Sequence, residues 1–109
     1  MTELARVETS TENGKEVVRV EGEIDLSNVD AVRDAIGAAL PDLPEVVLDL
    51  TALEYLDSAG ISMLFRLAER LSYNRQELRL VVPPDATVRA VIRLTRLDQV
   101  ITVEDSAGW

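Results

Sequence analysis

The segment Glu45-Val46-Val47-Leu48-Asp49-Leu50 constrains this chain most. It is short, nearly unbroken in its apolar character, and stopped on its upstream side by Pro41 and Pro44. A run of this kind suits a central strand buried on both faces. Such strands belong to sheets assembled with helices, and the pattern around this one agrees.

Upstream, Arg6-Val7-Glu8-Thr9 and Val17-Val18-Arg19-Val20 read as short strands joined through Asn13-Gly14, a dipeptide that supplies the positive φ of a tight hairpin. The second strand runs out through Glu21-Gly22-Glu23-Ile24-Asp25. Ser27-Asn28-Val29-Asp30 is a capping-box variant with Asp where Glu or Gln is usual. Behind it Val29, Val32, Ile36 and Ala39 recur at helical spacing, with Leu40 beside them.

Downstream, a helix is expected from Ser58 to about Tyr73. Ile61, Leu64, Phe65, Ala68 and Leu71 form its core stripe, and Ser62, Arg66 and Glu69 its wet face. Met63 and Leu67 lie off that stripe, either against a neighbouring helix or as an apolar part of a partner surface. Leu78-Arg79-Leu80-Val81-Val82 is a further strand, stopped by Pro83-Pro84. A third helix from about Asp85 buries Val88, Val91 and Ile92 and carries Arg89, Arg93 and Arg96 on one exposed face. Val100-Ile101-Thr102-Val103 closes the chain as a short strand. The order β-β-α-β-α-β-α-β defines an α/β fold. Its mixed β-sheet opens with an antiparallel hairpin, continues in alternating β-α units, and has helices packed on it. The 109 residues form one domain, 1–109.

Composition removes several functions. Aromatic residues are 4% of the chain, which leaves almost nothing to stack on bases or a flat cofactor. There is no cysteine, so disulfide, thiol and thiolate-metal chemistry are out, as suits a reducing cytosol. There is no histidine, the commonest general base and metal ligand. No apolar run approaches ~18 residues, and Met1-Thr2-Glu3-Leu4 lacks the basic and apolar regions of a signal peptide, so a soluble, cytoplasmic protein is expected. The net charge of −9 argues against a nucleic-acid partner. Residues 1–57 hold 14 acidic and 4 basic side chains; residues 58–109 hold 6 and 7. The acidic surplus is either solvated surface or a docking face for a basic protein partner.

Function concentrates in the stretch Asp49-Leu50-Thr51-Ala52-Leu53-Glu54-Tyr55-Leu56-Asp57-Ser58-Ala59-Gly60-Ile61, which leaves the buried strand, turns, and enters a helix at Ser58. Ligands and partners of open α/β sheets meet the carboxyl ends of strands. Ser58 has two readings: an N-cap whose hydroxyl accepts from a first-turn N–H, worth about 1 kcal/mol, or a functional hydroxyl. Gly60 allows close packing at the helix start. Three enzymatic readings fail. A serine-hydrolase elbow needs glycine on both sides of its nucleophile and a base nearby, but Leu56 occupies the leading position and histidine is lacking. A phospho-acceptor Asp57 of the receiver type also uses a late lysine, and the only lysine is Lys15. A metal site from Asp49, Glu54 and Asp57 lacks a ligand loop.

The same stretch resembles the phosphorylation-site region of STAS domains, specifically the stand-alone anti-sigma-factor antagonists of bacteria. Their pattern is an apolar strand followed by D-[LF]-[ST]-x-[LV]-x-[FY]-[LM]-D-[ST]-[STA]-G-[LI], matched here from Asp49 to Ile61. Gly22-Glu23-Ile24-Asp25 resembles a second family feature at the close of the second strand. Val88 through Thr95-Arg96-Leu97 resembles a weaker third. The resemblance implies a STAS-like fold and a binding switch without enzymatic activity or cofactor. The unphosphorylated protein would bind an anti-sigma factor that is also an ATP-dependent serine kinase, freeing the sigma factor. Phosphorylation would break that complex, and a serine phosphatase would reset it. By position Ser58 is the acceptor, and Glu23, Asp25, Asp57, Ser58, Ala59, Gly60 and Ile61 are partner contacts; no metal, nucleic acid or membrane is involved. An alternative within the family is a stand-alone subunit of a transport or stress-sensing complex not switched by a kinase.

A phosphate at a helix N-terminus is expected to be tolerated by the protein itself, because first-turn N–H groups and the helix dipole favour an anion. Two features depart from the family pattern. Arg96 stands where glycine is usual, so the third helix must end without the residue best suited to a left-handed cap. The chain also stops six residues after Val103, where many relatives continue into a fourth helix. Trp109 is expected to be a loose terminal residue rather than an anchor.

Overall fold

In the computed structural model, residues 4–106 are described, so the expectation for Trp109 lies outside the described residues. β1 (Ala5–Glu12) and β2 (Lys15–Ile24) form the antiparallel hairpin, with Asn13 and Gly14 turning at φ 51° and 78° and Glu12 facing Lys15. β2 is long enough to serve two further neighbours along its other edge. Its first half pairs in parallel with β3 (Glu45–Asp49), from Val17 opposite Val47 to Arg19 opposite Asp49. Its second half pairs in parallel with β4 (Leu53–Leu56), where Ile24 faces Leu56. β5 (Glu77–Val81) lies on the far side of β3, followed by β6 (Thr102–Glu104), giving the order β1-β2-β3-β5-β6 with β4 attached to β2. The helices are α1 (Val29–Ala39), α2 (Ser58–Tyr73) and α3 (Thr87–Leu94). The mixed sheet with its opening hairpin is the expected one; β4 is additional.

Alternation along the strands sorts the side chains. Val18, Val20, Val46, Leu48, Leu78 and Leu80 point to one face and bury with Val32 and Ile36 of α1, Leu64, Leu67 and Leu71 of α2, and Val88 and Ile92 of α3. The intervening Val17, Val47 and Val81 form a separate apolar strip that no described helix residue joins. That strip is flanked by ion pairs. Arg19 reaches Asp49 at 3.3 Å and Glu12 at 3.7 Å, and Arg79 reaches Glu45 at 3.1 Å, Glu77 at 3.7 Å and Glu104. β3 is therefore buried on both faces as its sequence demands, but by helices on one side and by long charged side chains of neighbouring strands on the other.

Four local expectations change. Asn28, not Ser27, occupies the N-cap of α1, and no side chain caps that helix; Ser27 and Asn28 bond to the preceding loop instead. α3 starts at Thr87, because the Ala86 N–H closes a turn on the Pro83 carbonyl first. Arg89 is not on the exposed face: its guanidinium is folded back onto the Val82 carbonyl (2.6 Å) and Asp105 (2.9 Å). Val100 ends a short 3-10 turn (Leu97–Gln99) and is exposed, so the last strand begins only at Thr102. Arg96 does adopt the left-handed conformation that glycine would favour, at φ 60°.

Candidate partner-binding site

β4 is what assembles the site. Because β2 and β4 run parallel and adjacent, the loops leaving their carboxyl ends emerge side by side. The Asp57 N–H donates to the Ile24 carbonyl at 3.2 Å, and the Leu26 N–H donates to Asp57 Oδ2 at 3.1 Å. The two motifs, Gly22–Asp25 and Asp57–Ile61, thus form one surface.

Each position in the first motif has a physical reason. The β2–β4 register shifts between Gly22 and Glu23, and Gly22 sits at φ 93°. A Cβ there would lie 2.1 Å from the Leu4 carbonyl oxygen, so only glycine fits. Past the shift, Glu23 is exposed and Ile24 is buried in the core. Asp25 Oδ1 accepts from the Ser27 hydroxyl (2.5 Å) and the Ser27 N–H (2.8 Å). The Ser27 hydroxyl bond holds the Asp25 carboxyl below the usual carboxylate range, opposed by desolvation and helped by the neighbouring backbone N–H groups. Asn28 staples the loop from the other side, accepting from the Asp25 N–H and donating to the Glu23 carbonyl, both at 2.8 Å.

In the second motif the cap is Asp57, which corrects the N-cap reading of Ser58. Asp57 has extended φ/ψ (−97°, −173°), and its Oδ1 accepts from the N–H groups of Ala59 (2.9 Å) and Gly60 (3.1 Å). Ser58 is the first residue inside the helix, is exposed, and makes no side-chain hydrogen bond among the described residues. With the Ile61 N–H bonded to the Asp57 carbonyl (3.0 Å), the first turn keeps only the Ser58 N–H for an incoming anion. The expectation of several open first-turn donors is therefore corrected.

Of the expected contacts, Glu23 and Ser58 are exposed, and Asp25, Asp57 and Ala59 are half-buried. Gly60 and Ile61 are buried. A Cβ on Gly60 would come within 2.3 Å of Leu56 Cδ1 and 3.1 Å of Ile24 Cγ2, so its small size seats α2 on the two strands. Met63 and Leu67 are buried where α1 and α2 meet, and they floor a trough between those helices. Asp49 is engaged by Arg19 and by the Thr51 N–H and hydroxyl, apart from Asp57. Sequence reasoning missed Leu26, which is 79% exposed beside Asp57; an isolated leucine in a polar loop carries no periodic signal.

Fold and site together define a STAS domain. The family model described as "Mlab, STAS domain" matches residues 7–103, and the chain belongs to this family. It is 35% identical over 95 residues to the anti-sigma-F factor antagonist RsfB of Mycobacterium tuberculosis, across 85% of this chain and 75% of that protein. The crystal structure of an anti-sigma factor antagonist from Mycobacterium paratuberculosis superimposes with a TM-score of 0.80 at 34% identity, covering 94% of this chain and 87% of that one. The Bacillus cell fate determinant SpoIIAA in its phosphorylated form shares the fold, with a TM-score of 0.61 at 20% identity over 90% of each chain. Among the described residues no helix is long and apolar enough to cross a membrane.

Proposed function

We propose that this chain is a cytoplasmic anti-sigma-factor antagonist without catalytic activity of its own, switched by phosphorylation of Ser58. Unmodified, it binds an anti-sigma factor that is also a serine kinase, through Glu23, Asp25, Asp57, Ser58 and Ala59, with Gly60 and Ile61 setting the geometry beneath them. The observation that carries the reading is the exposed Ser58 hydroxyl, relieved of capping by Asp57 and set beside the Asp25 loop. Similarity to RsfB and to the paratuberculosis antagonist supports the partner class.

A phosphate brings about −1.5 to −2 charges at pH 7. It would land next to the Asp57 carboxylate, whose cap already occupies the Ala59 and Gly60 donors. An unpaired anion buried in an interface shaped for a hydroxyl costs several kcal/mol, and ~3 kcal/mol already weakens binding more than a hundredfold. The modification thus acts on the interface and leaves the core untouched. A serine phosphatase restores the binding form.

The test is incubation with the cognate anti-sigma kinase and ATP, followed by site mapping. One phosphate is expected, on Ser58 and not on Ser27 or Ser62. Ser58→Ala should stay folded, bind the kinase and resist modification; Ser58→Asp should stay folded and bind poorly. Phosphate at another serine, or wild-type affinity in Ser58→Asp, would refute the switch. Stable association with a transport ATPase, indifferent to Ser58→Asp, would favour a structural-subunit role instead.

A further inference from the structure

The trough between α1 and α2 has a volume of about 320 Å³. That is the lower end of the range typical of ligand-sized pockets, roughly 300–1,000 Å³. Its floor is apolar, formed by Met63, Leu67 and Ile36, and Leu26 stands on its lip. One end is lined by Ala59, the residue after Ser58, and the trough then follows α2 as far as Arg70. Across 12 residues at about 1.5 Å each, that is roughly 18 Å, or three helical turns.

Its α2 rim carries Arg66 and Arg70, one turn apart. Among the described residues Arg6, Arg19, Arg33, Arg79 and Arg89 each lie within ion-pair distance of a carboxylate, whereas Arg66, Arg70, Arg75, Arg93 and Arg96 do not, and of these Arg66 and Arg70 line the trough. The α1 rim adds Asp30 and Arg33, paired with each other at 3.3 Å, so the lining is net positive in a chain of net charge −9, a local inversion of the surface charge. Guanidinium groups pair with carboxylates in a planar, bidentate manner.

We infer that this trough docks an acidic, amphipathic helix of the anti-sigma partner, with an apolar anchor on Met63 and Leu67 and carboxylates one turn apart against Arg66 and Arg70. The inference rests on the proposed function and deepens it. Continuity with Ala59 makes the trough an extension of the switch surface, so one partner covers both. The Ser58 end then decides whether the complex forms, and the trough contributes the apolar anchoring that phosphorylation does not touch. Opposite charge at the rim speeds association and selects among related partners.

The test uses the full chain and the anti-sigma kinase recovered by its Ser58-dependent co-purification. Arg66→Glu/Arg70→Glu should weaken binding about tenfold or more and flatten its salt dependence, and Leu26→Ser should weaken it severalfold. Arg75→Glu/Arg93→Glu makes the same charge change away from the trough and should stay within about twofold, with melting temperatures of all variants close to wild type. Equal losses in the two arginine pairs would reduce the effect to net charge and overturn the proposal. So would unchanged affinity in Arg66→Glu/Arg70→Glu while Ser58→Asp fails to bind, a result that leaves the switch standing. No binding by wild type would overturn both. Self-association of wild type that disappears in Arg66→Glu/Arg70→Glu would assign the trough to a second copy and also overturn the proposal.

Discussion

Replacing Asp57 by alanine tests the central claim about how this site is built. The carboxylate accepts three backbone N–H groups: Ala59 and Gly60 at the start of α2, and Leu26 in the loop after β2. Losing an N-cap costs about 0.5–2 kcal/mol. The bond to the Leu26 N–H adds about 1 kcal/mol, below the roughly 1.5–3 kcal/mol of a shielded charged acceptor because the Asp57–Leu26 contact is open to water. The sum is roughly 1.5–3 kcal/mol, and for a domain near this size each kcal/mol moves the melting temperature by about 4 °C, so a fall of roughly 6–12 °C is expected. Asp57→Asn can keep the cap through its single amide oxygen, but its NH2 group stands where Oδ2 accepted from the Leu26 N–H, so it loses the cross-loop bond together with the charge–dipole contribution of about 0.3–1 kcal/mol. Ser58→Ala should cost no more than about 0.5 kcal/mol, since its hydroxyl caps nothing. Urea denaturation of the three variants gives the ranking, and hydrogen exchange of the Leu26 amide reports the cross-loop bond, with protection lost in Asp57→Ala and Asp57→Asn and kept in Ser58→Ala. If Ser58→Ala proved more damaging than Asp57→Ala, the serine would be the cap and the account of an unencumbered hydroxyl would fail.

Gly22→Ala combines a positive φ, costing about 1–2 kcal/mol, with a clash against a backbone carbonyl that cannot rotate away, costing about 1–3 more. A loss of roughly 3 kcal/mol in chemical denaturation is expected, and a loss below about 1 would contradict the register shift at that residue. Arg96→Gly should stabilise the domain by about 0.5–1 kcal/mol, the relief of a left-handed arginine less the greater unfolded-state freedom of glycine; no gain in urea midpoint would contradict it. Asp25 titrates below its ordinary value because the Ser27 hydroxyl binds its charged form, so its contribution to stability is present above the unfolded-state pKa, about 4, and fades as pH falls through the lower folded value. An NMR titration of Ser27→Ala should show the Asp25 pKa rising toward the ordinary value, and an unchanged midpoint would remove the hydroxyl as the cause.

The legible parts of this protein were those set by short-range rules. The Asn13-Gly14 turn, the buried run of β3 and the extent of α2 follow from positive φ, apolar continuity and helical periodicity, and the folded chain has all three. β4 was not legible. Four residues, Leu53 to Leu56, are too few for a period to declare itself, and their pairing depends on the far half of β2 being left open by the short β3. The cap of α2 falls one residue before the position expected from sequence because Asp57 and Ser58 are both good capping residues, and only the backbone angles choose between them. The capping box at Ser27 failed for a related reason. Asp25 and Asn28 offered those side chains partners in the loop, and local side-chain bonds compete with helix caps.

By itself the sequence determined the fold class, the hairpin, the faces of the helices and the two motifs around Asp25 and Ser58, since each depends on residues close along the chain. Tertiary structure alone decided that those motifs meet. Leu26 and Asp57 are 31 positions apart, and their bond exists only because β2 and β4 lie in parallel register and send both loops out at the same end of the sheet. The trough beside Ser58 is likewise a product of α1 packing on α2, and no pattern in either helix alone announces it. Periodicity encodes which face of an element is buried, but what that face is buried against is fixed only when the strands choose their neighbours.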